Sequence, residues 1–364
     1  MQQSQGVSAT NYQTNWLRTG DELVIAHRTS ELYSKPAKLD GKVIKLTKEG
    51  LVVEYKDGTT DSYPLGLTIG SASGEFHRHT RVTDLKVGDS FNAGDIIGWD
   101  EMYFERDLAN PNQVAWKCGV MVRIAFVENQ FTFEDSIEVS KDFAEQTKTP
   151  YLKLKEFSLD FEQTLVPHVE VGSEVDMDAI LCSIEDPHVS GLDDSDDTFS
   201  GLERLGVKQI RSNHHGRVVK IECVYNGSIE DMSDSLKGFV TKLDKERQQL
   251  NKVTHTGIVN GNVGGNTYVK KASVEPNRVT VKIFIEDLNS SETADKFVVG
   301  NQMKGTVGNI VNHTMRTLDG RIVKIRFSFK SMFNRMVLSL RDKMGINEVN
   351  ANRTSAAVKA FRGK

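Results

Sequence analysis

Ala294-Asp295-Lys296-Phe297-Val298-Val299-Gly300-Asn301-Gln302-Met303-Lys304-Gly305 sets two lysines eight positions apart around a glycine turn. The β-patterned run Val281-Lys282-Ile283-Phe284-Ile285 precedes it, and Phe327-Ser328-Phe329-Lys330-Ser331-Met332-Phe333-Asn334-Arg335-Met336 follows. Two cations on one strand-turn-strand element suggest a phosphate site. The lysine ammonium is a compact point charge, and Gly300 and Gly305 permit the backbone to fold back so that both stems converge on one anion. The same spacing also describes the solvated charges of an ordinary hairpin.

Outward from this element, short β-patterned runs dominate: 42–46, 51–55, 120–126, 217–224, 279–285 and 321–329. Asp57-Gly58 and Asp319-Gly320 mark hairpin turns. In the last run Val323, Ile325, Phe327 and Phe329 form an apolar face, which throws Lys324 and Arg326 together to the other side. Val87-Gly88-Asp89 to Ile96-Ile97 is echoed by Val171-Gly172-Ser173 to Ile180-Leu181, one strand-turn-strand element used twice. The fold expected is mainly β with α, built from barrel and sandwich modules rather than a solenoid. One long helix is expected over 228–252, where Met232, Leu236, Phe239, Val240, Leu243 and Leu250 recur at helical spacing and Asp244 and Glu246 belong to a charged outer face.

With 364 residues the chain has room for two or three domains and a substantial core. The net charge is −4, but it is unevenly spread: from Lys270 onward there are 18 Lys plus Arg against 8 Asp plus Glu, and before it 28 against 42. A basic end on an acidic body is expected where one face meets a phosphate backbone. A solvated basic tail accounts for Arg353, Lys359, Arg362 and Lys364. It does not account for Lys296, Lys304, Lys324, Arg326, Lys330 and Arg335, which lie inside apolar patterning.

Other chemistries find little support. Cys118, Cys182 and Cys223 are isolated from one another, which argues against a disulfide frame or zinc knuckle. His77 with His79 and His214 with His215 lack nearby cysteines and read as surface or turn residues. The acidic stretch 185–205, with Gly191-Leu192-Asp193-Asp194-Ser195-Asp196-Asp197, lacks the glycine and closing glutamate of a calcium loop and reads as exposed. There is no nucleophile elbow and no P-loop, so a free-standing hydrolase or kinase is not supported. The polar start and the lack of a long uncharged apolar run suggest a soluble, intracellular protein.

A second signature, Phe133-Glu134-Asp135-Ser136-Ile137-Glu138-Val139-Ser140, lies far upstream of the lysines. With them it resembles the carboxy-terminal half of the β subunit of multisubunit DNA-dependent RNA polymerases. There Phe-Glu-Asp-Ser-Ile-x-Val-Ser, Gly-Asp-Lys-x-x-x-x-x-x-x-Lys-Gly and a Ser-Arg-Met segment occur in this order. Further collinear pieces are Arg18-Thr19-Gly20-Asp21-Glu22, Asp40-Gly41-Lys42-Val43-Ile44, Val87-Gly88-Asp89 to Gly94-Asp95-Ile96-Ile97, and Val122-Arg123-Ile124-Ala125-Phe126. The chain departs from the family between the lysines, where Gly-Arg-His-Gly-Asn is replaced by Val299-Gly300-Asn301-Gln302-Met303, and at Phe333-Asn334-Arg335-Met336-Val337, where the family has Pro-Ser-Arg-Met-Asn. Such drift around kept charges is most similar to the split β subunits of giant bacteriophages.

The resemblance implies a double-psi β-barrel and sandwich-barrel hybrid-binding region with an inserted flap or wall domain. Residues 1–138 and 279–347 would form the two parts of the active-site region, 139–278 the wall, and 348–364 a basic tail. Lys296 and Lys304 would hold RNA 3′-end phosphates, Arg335 would face the incoming triphosphate, and Glu134 and Asp135 would lie near the second metal. As an alternative, Glu134-Asp135 would cap a helix over 139–146. Lys324, Arg326 and Lys330 would contact nucleic acid, and Phe199, Leu202 and Leu205 would form a flap tip that docks an initiation factor. Mg2+ would be held mainly by a β′-like partner, because the family's Asn-Ala-Asp-Phe-Asp-Gly-Asp loop is missing here. The partners implied are an N-terminal β-like subunit, a β′-like subunit, a promoter-specificity factor, the DNA template and the RNA–DNA hybrid, with no membrane. The location implied is the bacterial host cytoplasm or a virion. Catalytically inactive β-like scaffold and stand-alone β-barrel nucleic-acid-binding module are the alternatives.

Overall fold

The structure is a computed structural model that describes residues 11–14, 20–72, 74–187, 207–255, 257–264, 268–269, 272–299, 303–335 and 338–362. Phe199, Leu202 and Leu205, and the turn residues Gly300, Asn301 and Gln302, lie outside the described residues. The chain is mainly β, with several antiparallel sheets and a few helices, and no closed barrel forms among the described residues. Two compact units alternate along it: Met1–Lys38, Phe91–Pro150 and Asn289–Lys364 make the first, Leu39–Ser90 and Tyr151–Leu288 the second.

The first unit is organised around a mixed five-stranded sheet. Its strands are β1 (Ile124–Phe126), β2 (Ser136–Ser140), β3 (Lys296–Val299), β4 (Met303–Val311) and β5 (Ile325–Phe327), in the order β1-β5-β2-β4-β3. β1 runs parallel to β5 and β2 parallel to β4, whereas β2–β5 and β3–β4 are antiparallel. One face is apolar: Ile137, Val139, Met303, Val307, Ile325 and Phe327 are buried together with Phe143 and Leu340. Helix α1 (Lys141–Gln146) follows β2, and α2 (Phe329–Arg335) and α3 (Leu338–Arg362) follow β5. Glu348 anchors α3, accepting from Arg321 at 2.8 Å and lying 3.5 Å from Arg123.

Two of the expected strands are shorter than their patterning. Of 120–126 only Ile124–Phe126 joins a ladder, yet Val120, Val122, Ile124 and Phe126 all pack on the same core. Alternation records which side chains are buried; ladder bonds also need a neighbouring strand in register. The run 321–329 breaks at Lys324 into Ile322–Val323 and Ile325–Phe327, because Lys324 bonds through its N–H to Arg123 O and through its C=O to Ser140 N. Phe329, assigned to the apolar strand face, instead starts α2 and is 46% exposed.

In the second unit, the strands Gly216–Asn226 and Arg278–Asn289 pair antiparallel, and the helix Asp234–Thr254 buries Leu236, Val240 and Leu243 in the same core as Val279, Val281, Ile283 and Ile285. The helix starts later than its periodicity predicts, since Met232 closes the short turn before it, and Leu250, on the expected buried stripe, is exposed. Asp244 corrects the reading of the outer face. It is buried and accepts from Tyr225 Oη at 2.8 Å, Arg247 Nη1 at 2.7 Å and Gly261 N at 2.8 Å. A buried carboxylate is tolerated only when its lone pairs are satisfied, and two of these partners come from outside the helix. The hairpin turn at Asp57-Gly58 joins Gly50–Tyr55 to Thr60–Pro64 as expected.

Candidate nucleic-acid interface

The β3–β4 register determines where the two lysines point. Lys296 lies opposite Thr306 and Val298 opposite Lys304, and residues directly opposite in a ladder share a face. Lys296 and Lys304 are therefore diagonal neighbours on the face away from the apolar core, at a Cα spacing of about 7–8 Å for such a pair. Both are exposed, and among the described residues neither ammonium meets a carboxylate. Ser136 lies opposite Thr306 across the β2–β4 ladder, which extends this outward row as Lys296, Thr306, Ser136.

Gly305 has a different role from the expected turn flexibility. It sits within β4 opposite Phe297, and a Cβ there would stand 2.5 Å from Ile137 Cγ2 and 3.0 Å from Phe327 Cε2. The missing side chain admits its neighbours in the apolar layer, so the strand stays in register and Lys304 stays outward.

Glu134 and Asp135 part company despite being adjacent. Glu134 adopts the left-handed region with φ 53°. Asp135 turns toward α2, where its Oδ1 lies 2.5 Å from Arg335 Nη1 and 3.4 Å from Ser331 Oγ, while its carbonyl accepts from Thr306 N at 2.7 Å. Neither residue caps α1. Ser140 does, its Oγ accepting from Phe143 N at 3.3 Å. A serine at the end of a strand satisfies this cap because it precedes the first helical residue, which Glu134-Asp135 do not. Arg335, the residue expected to face a triphosphate, is in this structure held by Asp135.

Glu138, the variable position of the upstream signature, is a site residue that the sequence alone does not single out. Only 3% exposed, it accepts from Asn309 Nδ2 at 2.9 Å, Asn129 Nδ2 at 2.9 Å and Arg326 Nη1 at 3.1 Å. Asn309 and Arg326 are its direct neighbours on β4 and β5, so a polar row crosses three strands on the outward face. Burial acts to raise the Glu138 pKa, but the three donors outweigh it and hold the carboxyl below its usual range. An acidic residue alternating with Ile137 and Val139 inside a strand was the available signal. The partners were not.

The loop over 127–135 closes above this row. Thr132 is fully buried with its Oγ1 donating to Val127 O, and Ser136 Oγ donates to Phe131 O. Glu128 ties the loop to α2 by accepting from Lys330 N at 2.8 Å and Ser328 Oγ at 2.7 Å, and these bonds hold its carboxyl below the usual range.

Of the cations expected to bind nucleic acid, Lys296 and Lys304 share the outward face with Arg326, which Glu138 occupies. Lys324 leaves the apolar side as expected but pairs with Asp142 of α1, so it and Arg326 are captured by different acids. Lys330 and Arg335 are carried by α2. Among the described residues no three His, Cys, Asp or Glu side chains gather into a metal-binding group. Glu134 and Asp135 do not make a magnesium site by themselves, since one carboxylate is tied to Arg335 and the other is an exposed side chain on a left-handed backbone. No protein-family model matches the chain, and no curated protein is significantly similar to it.

Proposed function

We propose that the chain is the carboxy-terminal, active-centre-lining part of a split RNA polymerase β subunit, holding the RNA 3′ end and the incoming nucleotide during nucleotidyl transfer. One observation carries this reading: three signatures far apart in sequence meet in one sheet. Phe133–Ser140 supplies β2, which lies between β4, beginning Met303-Lys304-Gly305, and β5, whose following helix presents Arg335 to Asp135. A chance set of short matches has no reason to converge in space.

In this reading Lys296 and Lys304 neutralise phosphates through charge-assisted hydrogen bonds. Arg335 reaches the triphosphate when Asp135 releases or reorients it, and Lys330 contacts the backbone of the nucleic acid. Arg326 and Lys324, each already paired, position the sheet and α1. The mixed parallel and antiparallel sheet is compatible with double-psi and sandwich-barrel modules with a wall inserted at 139–278. Mg2+ stabilises the attacking and leaving oxygens in this chemistry, but among the described residues no group of carboxylates fits it, and Asp135 is tied to Arg335. The ion would therefore be held mainly by a β′-like partner. An N-terminal β-like subunit, an initiation factor at Phe199, Leu202 and Leu205, the template and the RNA–DNA hybrid complete the assembly, in the host cytoplasm or a virion.

Affinity purification of the chain from cells that make it, followed by native mass spectrometry, tests the proposal. A stoichiometric partner carrying the aspartate loop is expected, with RNA extension by the assembly and none by the chain alone. Extension by the isolated chain would overturn the split-subunit reading, and an inactive assembly would leave only a scaffold. A chain without stoichiometric partners would favour the stand-alone nucleic-acid-binding module.

A further inference from the structure

Helix α2 carries two large rings that the core does not use. Phe329 and Phe333, one turn apart, are 46% and 68% exposed, yet they contact each other edge-on with centroids 4.7 Å apart. A third ring, Phe133, is 64% exposed on the loop that Glu128 and Asp135 tie to the same helix. Four contacts between loop and helix, Glu128 with Ser328 and Lys330 and Asp135 with Ser331 and Arg335, hold these aromatics on a braced support.

The surroundings indicate what the rings meet. From Lys324 to the end of the chain there are 10 Lys plus Arg against 2 Asp plus Glu, so the aromatic helix lies in a strongly basic stretch of the sequence, with Glu128 and Asp135 as the acids bonded to it. Lys330 follows Phe329 on α2 and is exposed. A basic setting repels a basic partner and selects an anion, and exposed aromatic rings interleaved with cations are the pattern that binds single-stranded nucleic acid through base stacking and phosphate contacts together. An acidic protein surface would satisfy the charge, but would not need a pair of largely exposed aromatic rings.

We propose that Phe329 and Phe333 form a stacking platform for an unpaired nucleobase of a single-stranded nucleic acid whose phosphates are held by neighbouring cations. The identity of the polymer rests on the function proposed above; the stacking itself does not depend on Lys296 and Lys304. Every nucleobase has a π face, so the platform tolerates any sequence and discriminates only base from no base.

The test uses the full chain at low salt with a fluorescent single-stranded oligouridylate and an abasic oligomer of equal length. The wild type is expected to bind the base-bearing oligomer about ten-fold tighter than the abasic one, and Phe329→Ala with Phe333→Ala should remove that difference while leaving abasic binding unchanged. Phe333→Trp should retain the preference, and the emission of the introduced indole, read against the three native tryptophans, should be quenched by the base-bearing oligomer alone. Equal binding of the two oligomers by the wild type, or unquenched indole emission from the Phe333→Trp variant at saturating oligomer, would overturn the platform and leave the rings to a protein partner. Lys296→Ala with Lys304→Ala separates the two ideas: lost binding to both oligomers supports the phosphate role, whereas a retained base preference with undiminished abasic binding sinks the phosphate role and keeps the platform.

Discussion

Asp135 Oδ1 and Arg335 Nη1 lie 2.5 Å apart, although 200 positions separate them in the chain. The pair joins the loop before β2 to the helix after β5, and it places the guanidinium beside the lysine-bearing strands without committing it to the core. With side chains 38% and 50% exposed, it contributes little to stability, below about 1 kcal/mol. Its value lies in orienting a planar fork.

Asp135→Asn should therefore leave the thermal midpoint nearly unchanged and, on the proposed function, slow nucleotide addition by the polymerase assembly. Arg335→Lys should slow it as well, since a point charge does not reproduce the fork. Wild-type extension rates at limiting nucleotide for both variants would remove the pair from the site.

Lys296→Ala and Lys304→Ala should each preserve assembly and midpoint, because neither side chain is buried. On the proposed function each should weaken nucleotide addition by about 1.5–3 kcal/mol, the usual cost of a lost charge-assisted contact. Single-turnover extension from a preformed scaffold, compared with melting curves, separates the two effects.

Glu138→Ala should destabilise the first unit by about 3–5 kcal/mol, leaving Arg326 without its acid and two asparagines without an acceptor. The pH dependence has a definite sign. A carboxyl held below its unfolded value near 4.5 contributes stability that is fully present above that value and lost as pH falls through the folded one. Denaturant unfolding between pH 7 and pH 3 should therefore show a steeper acid loss for the wild type than for Glu138→Gln.

Gly305→Ala should cost about 1–3 kcal/mol by overpacking, as Ile137 and Phe327 would have to yield to the new methyl. If the glycine served only a flexible turn, the midpoint would not move.

Thiol labelling at pH 8 should modify Cys118 in the native protein, and Cys182 and Cys223 only after unfolding. Burial pushes the Cys182 thiol up to about 12 and that of Cys223 up to about 11, which removes the reactive thiolate as well as access to it. Fast native labelling of all three would contradict the two buried positions.

The sequence by itself determined the mainly β class, the strands near 42–46, 51–55, 217–224 and 279–285, and the long helix, whereas the outward aim of Lys296 and Lys304 came from the β3–β4 register. Class, strands and helix follow from local rules: period-two burial, helical spacing and turn residues act within a few positions of one another. Tertiary structure alone decided which cations are free. Arg326 and Lys324 alternate outward as the lysines do, yet Glu138 and Asp142 occupy them, and Asp244 reads as an outer charge while Tyr225 and Gly261 draw it inside. Gly305 looks like a turn glycine until the side chains of β2 and β5 are packed against it. Pairing, close approach and burial of a charge depend on which strand lies alongside, and that depends on chain distant in sequence, where periodicity carries no signal.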